Sequence, residues 1–600
     1  MKGLMSEDKY MVIDIETTGV DWARCSIIGI GHYSKEGGMI GFSKEIPDLS
    51  GYQTIMHNGS YDVKVARKAG IEIPYHHDTI LMASLLQFAV NIKESYRGMY
   101  DDNRKRKDSL ALDNLAIRDL GLKASWKIDW KKDTPTYDEI KEHCLMDCRV
   151  PYHLFLQYKE KLIEHNLWNY YEKLLMPMAR LLVDVECRGI RLDVDKLLTM
   201  KIVYKERIDR WLTDFHVNNK EALDIVIKYV KEDKMKKCKP GKKAETLENR
   251  KQKVRDTVIT FNPRSTVHMT KLLELKGINL VDNTGKKTTA SKLLYRYRHD
   301  EIIGQICEYK KINKVYRDFL CKWDDLRVND ILFTNFRLWA TDTGRLSSAE
   351  PNLQQVPKES DIRELFIPRE GYVFTVADAK QLEARLAAYF SKEEVLLEAF
   401  RNGIDVYGQI AIDLMGLTCT ANEVKELHPK ERQIGKQLFL ATLYGQGVKS
   451  LYFKLSREYE VDITHDECAQ YKRIFNRAYP NLKEFDNKCK ENADRDGYIT
   501  TWFGRKNFIE KGKGYKGLNS YTQGSGSDMI GFSQLNIVPN LPKDAHLILM
   551  VHDEVIYEHK PEDTQFISDL IDKYLVQPLR EKYGIPMDMD IKVGKNWGIK

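Results

Sequence analysis

VFTVADAKQLEAR, Val373–Arg385, decides how this 600-residue chain is read. Four residues of β-forming type, Val373 to Val376, lead into Asp378. A second run, LILMVHDEVIYE (Leu547–Glu558), delivers Asp553 in the same way. A carboxylate embedded in an apolar strand is costly to desolvate unless it is paired or holds a metal. Two such acids from separate strands meet the needs of two-metal phosphoryl transfer. There the cations sit roughly 3.5–4 Å apart and share ligands across the attacking and leaving oxygens.

Between these runs lies ERQIGKQLFLATLYGQG (Glu431–Gly447). Read as a helix, it brings Arg432, Lys436, Leu440 and Tyr444 onto one broad face, because they recur every four residues. Two cations one turn apart suit a triphosphate, and a solvated helix face is the alternative. Upstream, TDTGRLSSAEPNLQQVP (Thr341–Pro357) reads as a loop offering Arg345, Asn352 and Gln354 as donors.

At the other end, MVIDIETTG (Met11–Gly19) is a strand carrying Asp14 and Glu16. HNGSYD adds Asn58 and Asp62, and EHCLMD adds His143 and Asp147. Four acids converging from three segments again suit two metals, here activating water. Lesser motifs are His77–Thr79 and Leu112–Asn114.

The order of the later motifs resembles the DNA polymerase I family (family A DNA polymerases), and the resemblance covers nearly the whole chain. The N-terminal set resembles the DEDD 3′–5′ proofreading exonucleases. The implied fold is multi-domain, α/β and α+β: a ribonuclease H-like exonuclease domain over residues 1–165, then a right-hand polymerase domain over 166–600. Within the latter the thumb is expected at about 190–330, the palm at about 331–400 and 500–600, and the fingers at about 401–499.

By this resemblance, Asp378, Asp553 and the carbonyl of Ala379 hold two Mg2+ ions, with Mn2+ as a substitute. Lys436 and Arg432 bind the triphosphate, and Lys436 protonates the leaving group. Glu383 is the gate that excludes a ribose 2′-hydroxyl and bonds Tyr444. Arg345, Asn519 and Gln523 donate to the minor groove, where every correct pair presents acceptors. His552 contacts a primer phosphate and Glu554 supports it, or both are structural. Tyr498, Phe503 and Arg505 belong to the scaffold.

Two positions depart from the family: Leu440 stands where it has Phe or Tyr, with Phe439 just before it, and Tyr407 where many relatives carry a phosphate-binding histidine. In the editing site, Asp14, Glu16, Asp62 and Asp147 are the implied ligands of a second metal pair, with Asn58 on the DNA. His143 takes the spacing of the family's tyrosine. It orients or deprotonates the attacking water, or is a replacement that weakens editing; an active exonuclease is the favoured reading.

The formal charge of +7 is modest, so basic character is expected in local stretches. One is Lys228–Arg255, either a solvated run or a thumb segment gripping DNA or a processivity factor. The loop Asp101–Asp108 is either a contact to single-stranded DNA or solvated. FNPRS (Phe261–Ser265) is a family landmark. Ten cysteines without a CxxC pair point to a reduced chain without a zinc site, with Cys144 and Cys148 as helix neighbours.

No apolar run has membrane-spanning length, and the first strand near Tyr10 leaves no room for a signal peptide, so the expected location is cytoplasmic. The start at the proofreading domain resembles a phage replicative polymerase acting in the cytoplasm of a bacterial host. Its expected partners are primer–template DNA, dNTPs, and a helicase or other replisome proteins. The rival readings are a nuclease with a pocket weakened at Leu440 and a replisome scaffold without chemistry. Intact acids argue against both, and Glu383 argues against an RNA polymerase.

Overall fold

The computed structural model describes residues 9–87, 110–123, 126–128, 134–238, 247–281, 285–358 and 360–599. The loop Asp101–Asp108 and residues 239–246 of the basic stretch lie outside them. The described chain forms two compact units. One is 1–192 with 328–452 and 464–600; the other is 193–327 with 453–463.

The first unit opens with a five-stranded sheet. β1 (Lys9–Thr17), β2 (Ile27–Ser34), β3 (Met39–Ser43), β4 (Tyr52–Met56) and β5 (His77–Asp78) lie in the order β3-β2-β1-β4-β5. β1 pairs antiparallel with β2 and parallel with β4. Met11, Val12 and Ile13 bury the start of β1, while Asp14 and Glu16 are only half-buried near its end.

Helix α1 (Ser60–Lys68) follows β4, and a long helix α2 (Tyr137–Glu164) lies against β1 and β2. α2 starts at a capping box in which Thr136 and Glu139 satisfy each other's backbone N–H groups. Its close approach to β2 depends on Gly31. A Cβ there would come within 2.5 Å of the Cys144 sulfur and 2.9 Å of that of Cys148.

Helix α3 (Met176–Arg188) buries Met178, Leu182 and Val185, in keeping with its amphipathic spacing. A short hairpin follows, β6 (Asn335–Arg337) with β7 (Ser347–Ala349). β8 (Val373–Ala379), β9 (His546–Val551), β10 (Glu554–His559) and β11 (Met589–Gly594) form an antiparallel sheet in the order β9-β10-β8-β11.

Helix α4 (Leu382–Ser391) continues from β8 and packs on α7 (Gly517–Ile537), with Gly526 against Leu382 and Leu386. α5 (Val406–Met415) packs on α6 (Pro429–Leu443). At Gly435 the backbones nearly touch: a Cβ would come within 2.5 Å of the Tyr407 carbonyl oxygen.

In the second unit, helices Val194–Asn218, Lys220–Lys236, Thr266–Leu275 and Glu301–Lys314 enclose a core that includes Phe215, Val226, Phe261, Leu272 and Ile306. Residues 453–463, expected among the fingers, cluster with this unit. Arg298 bonds the carbonyl of Arg457 and the carboxylate of Glu460, which holds that segment there. The described part of the basic stretch lies on helices Lys220–Lys236 and Leu247–Asp256. Among the described residues no helix is long and apolar enough to cross a membrane, and all ten cysteines are free.

Candidate active sites

The two strand-borne acids meet at one end of the antiparallel sheet. β8 ends in Asp378 and Ala379; Asp553 sits in the tight turn from β9 to β10, where His552 adopts a left-handed φ of 59°. The Ala379 N–H donates to the Asp553 carbonyl at 3.1 Å, so the backbone itself fixes the two acids as neighbours. Burial and then the charge of Asp378 push the Asp553 carboxyl up to about 6. Lys358 pairs with Asp378.

Glu554 is scaffold: it is buried, accepts from Arg363 at 3.0 Å and from the Trp597 indole at 2.8 Å. Gln354 donates to the Met550 carbonyl at 3.2 Å, and Asn352 accepts from the Gln354 N–H at 3.0 Å. These two expected donors therefore brace the approach to Asp553.

Glu383, in the first turn of α4, gathers donors from three elements. Tyr444, just past the end of α6, donates its hydroxyl at 3.3 Å, and Gln523 of α7 donates at 3.1 Å. Arg345, from the loop before β7, pairs with the same carboxylate. The sequence assigned Arg345 and Gln523 to DNA and Glu383 and Tyr444 to the nucleotide; the structure joins them in one network. Asn519 lies one turn before Gln523 on α7. Burial and the nearby Arg345 hold the His552 pKa below 6.5.

On α6, Arg432 pairs with Asp405 at the start of α5, 3.1 Å from Nη2 to Oδ1, and lies over the Tyr407 ring at 5.5 Å. Burial pushes the Tyr407 hydroxyl up to about 12. Lys436 and Leu440 are half-buried on the same face, and Lys436 forms no ion pair among the described residues. Phe439 is fully buried between Tyr407 and Phe475, so the open position belongs to Leu440.

The second cluster is assembled differently. Asp14 and Glu16 share one face of β1, Asp62 comes from the first turn of α1, and His143 and Asp147 lie one turn apart on α2. The Ile15 N–H donates to Asp62 at 2.9 Å. His143 Nδ1 lies 2.9 Å from Glu16 and 3.8 Å from Asp147. Burial opposes protonation of His143, but its bond to Glu16 and the charge of Asp147 raise its pKa above 6.5. Burial, then Asp147 and Glu16, push Asp14 up to about 7; burial and Asp14 raise Asp62. Asn58 is exposed with φ of 60°, and its N–H donates to Asp78 at 3.0 Å.

Four neighbours of this cluster escaped the sequence reading. The Cys144 thiol donates to Asp14 at 3.2 Å. Trp126 and Lys127 occupy the two oxygens of Asp147 at 2.7 and 2.6 Å. His57 bonds the Thr79 hydroxyl at 2.8 Å, and burial, then Lys127, lower it to about 4. Only the spacing of Cys144 beside His143 carried any signal. Trp126 and Lys127 reach the site from a distant loop.

The residues fit divalent cations. In each cluster a crowded carboxyl holds its proton unusually tightly (Asp553 and Asp14), and an ammonium pairs with a neighbouring acid (Lys358 with Asp378, Lys127 with Asp147). All-oxygen donors suit Mg2+ or Mn2+. The N-terminal cluster adds one sulfur, since Asp14, Glu16 and Cys144 present ligand atoms within 4.8 Å of one another.

Comparison with known proteins bears on the family of the chain. A family model described as DNA polymerase family A matches residues 232–599. The chain is 26% identical to DNA polymerase I of Synechocystis over 97% of its own length and 59% of the relative's. It is 25% identical to that of Borreliella burgdorferi, over 99% and 63%. With the thermostable DNA polymerase I of Thermus filiformis it shares 28% identity over 77% and 51%. The chain thus spans about half to three-fifths of these relatives. Its fold is similar to that of the POL domain of Pol1 from M. smegmatis, solved in complex with DNA primer–template and dNTP. The TM-score is 0.75 at 17% identity, over 99% of this chain and 96% of that one.

Proposed function

The chain belongs to DNA polymerase family A, and from that premise we propose that it is a template-directed DNA polymerase that also edits primer ends with a 3′–5′ exonuclease. The observation that carries this reading is the backbone-locked pair Asp378 and Asp553 at one end of the antiparallel sheet. The proposed architecture is a ribonuclease H-like domain over 1–165 and a right-hand polymerase over 166–600.

Asp378, Asp553 and the Ala379 carbonyl would hold two Mg2+ ions. Cations held there would supply a lowered pKa at the primer 3′-hydroxyl and neutralisation of phosphate charge. Lys436 binds the triphosphate and gives a proton to the departing pyrophosphate. Arg432 reaches the outer phosphates by exchanging its bond to Asp405 for them. The Tyr407 hydroxyl, neutral near pH 7, donates to phosphate without adding charge. Glu383 fills the space a 2′-hydroxyl needs, with Tyr444 fixing one of its oxygens. Arg345, Asn519 and Gln523 turn to the minor groove, where adenine or guanine N3 and pyrimidine O2 accept from any correct pair. His552 lies beside the primer phosphate, and Leu440 lines the nucleotide pocket.

In the editing site, Asp14, Glu16, Asp62 and Asp147 would hold the second pair of cations, and Asn58 meets the strand. His143, oriented by Glu16, positions the attacking water and takes its proton. The chain's proposed setting is a phage-encoded enzyme in bacterial cytoplasm. The basic segment 228–255 would grip DNA or a processivity factor, alongside a helicase or other replisome proteins.

The test is primer extension with magnesium and all dNTPs, with rNTPs, or with no nucleotide. Extension only with dNTPs should fall about a thousandfold in Asp378→Ala. Primer shortening should fall comparably in Asp14→Ala. Shortening without extension would reduce the protein to a nuclease; tight DNA binding without either activity would favour a scaffold.

A further inference from the structure

Lys64 is buried in the first unit, two residues beyond Asp62 on α1. Its Nζ lies 2.6 Å from Glu186 of α3 and 2.7 Å from the Asn335 side-chain oxygen of β6; the two charged side chains are 2% and 1% exposed. The other oxygen of Glu186 accepts the Phe336 N–H of β6. The Lys64 ammonium also sits 5.5 Å from the Trp22 ring, which packs on Phe333 at 4.9 Å. One buried knot therefore ties α1 to α3 and to hairpin β6–β7.

Two of the three tied elements carry a site residue. α1 carries Asp62 of the editing cluster. The loop of hairpin β6–β7 carries Arg345, held by the Thr341 hydroxyl on its carbonyl and by Ser527 of α7 on the carbonyl of Gly344. Apolar packing alone does not seal this junction: a cavity lined by Asn58, Asp78, Leu182, Phe336 and Trp339 runs alongside it. A buried ion pair is a poor source of stability, since well-packed apolar residues usually do as well. Its special property is direction, because an ammonium between a carboxylate and an amide oxygen fits only one register.

We infer that Lys64 is a positioning residue that sets the register between the editing helix α1 and the primer-end hairpin β6–β7, so that a mispaired 3′ end passes from one site to the other within a single binding event. This rests on the proposed editing activity. It requires no signal between the sites, only that their supports be held at a fixed offset.

The informative variant is Lys64→Met with Glu186→Gln, in the full chain. It leaves no unpaired buried charge, and the glutamine oxygen still accepts from Phe336. Three quantities are measured: hydrolysis of a single-stranded oligonucleotide, extension of a matched primer, and correction of a mispaired primer in one encounter, with excess unlabelled DNA as trap. The expected result is loss of same-encounter correction by about fivefold or more, with the other two activities within about twofold of wild type. Correction at the wild-type level in the trap would overturn the inference.

Hydrogen exchange supplies a readout independent of chemistry. The double variant should speed exchange in both α1 and β6, and acceleration of neither or only one would sink the joint. If wild type fails to hydrolyse single-stranded DNA, the editing reading falls, and the exchange result still decides whether Lys64 sets the register.

Discussion

Asp378 and Asp553 are neighbours because a bond between their backbones makes them so, whereas in the second cluster the backbone holds only the Asp62 side chain, through the Ile15 N–H, and Asp147 joins by the packing of α2. The first cluster stands on a sheet end and keeps one acid partly solvated. The second is enclosed by side chains: His143 on Glu16, Cys144 on Asp14, Trp126 and Lys127 on Asp147. A site framed by backbone should tolerate changes among its neighbours; one framed by side chains should not.

The largest effect expected from this contrast lies at His143. His143→Ala should cut 3′–5′ degradation about a hundredfold, read on a labelled single strand, and leave dNTP addition unchanged. Undiminished degradation would remove the histidine from the chemistry. Near the first cluster the sharpest neighbour is Glu383, where three donors converge. Glu383→Ala should raise ribonucleotide incorporation relative to deoxyribonucleotide about tenfold or more. It also frees Arg345 and Gln523, so an unchanged sugar preference would mean the network serves only the scaffold.

Smaller effects come from the two lysines that pair with acids. Lys127 is 31% exposed and Lys358 61% exposed, so the former is the less screened by water. Lys127→Met should lower the Mg2+ midpoint for degradation about threefold, while Lys358→Met should scarcely move that for extension. Equal shifts at both sites would erase the contrast.

The smallest effect concerns stability without metal. Asp553 and Asp14 bind protons more tightly when folded, near 6 and 7 against an ordinary 3.8. Their stabilising contribution is full below about pH 4 and lost as pH rises through 6 to 7. In chelator, the melting temperature should fall by a few degrees between about pH 5 and 8. Asp14→Asn should flatten the later part of that fall, and Mg2+ should offset it. A chelated protein equally stable across that range would show that the carboxylates are not crowded.

Much of this was legible in sequence because the decisive acids lie at the ends of apolar runs, and period-two and period-four spacing carries them to a strand end and a helix face. The α6 stripe of Arg432, Lys436 and Leu440 and the His143–Asp147 pair follow from local geometry alone. Long-range partners were not legible. Nothing local tells that Arg345 and Gln523 share Glu383, that Arg432 rests on Asp405, or that Trp126 and Lys127 cover Asp147. Asn352 and Gln354 looked like free donors, yet Asn352 accepts from Ser348 four residues away and Gln354 reaches a distant carbonyl fixed only by tertiary contact. The clustering of residues 453–463 with the second unit was illegible for the same reason: Arg298 lies far away in the chain.

Gly31 has a consequence for descent as well as for packing. Two sulfurs of α2 already fill the space its side chain would take, and one of them reaches Asp14. Relatives of this chain can therefore gain a side chain at 31 only after Cys144 and Cys148 have become smaller, and any lineage that replaces the thiols with bulkier groups must keep the glycine. These three positions should drift as a set, and their joint variation would trace how this cluster of acids came to include sulfur.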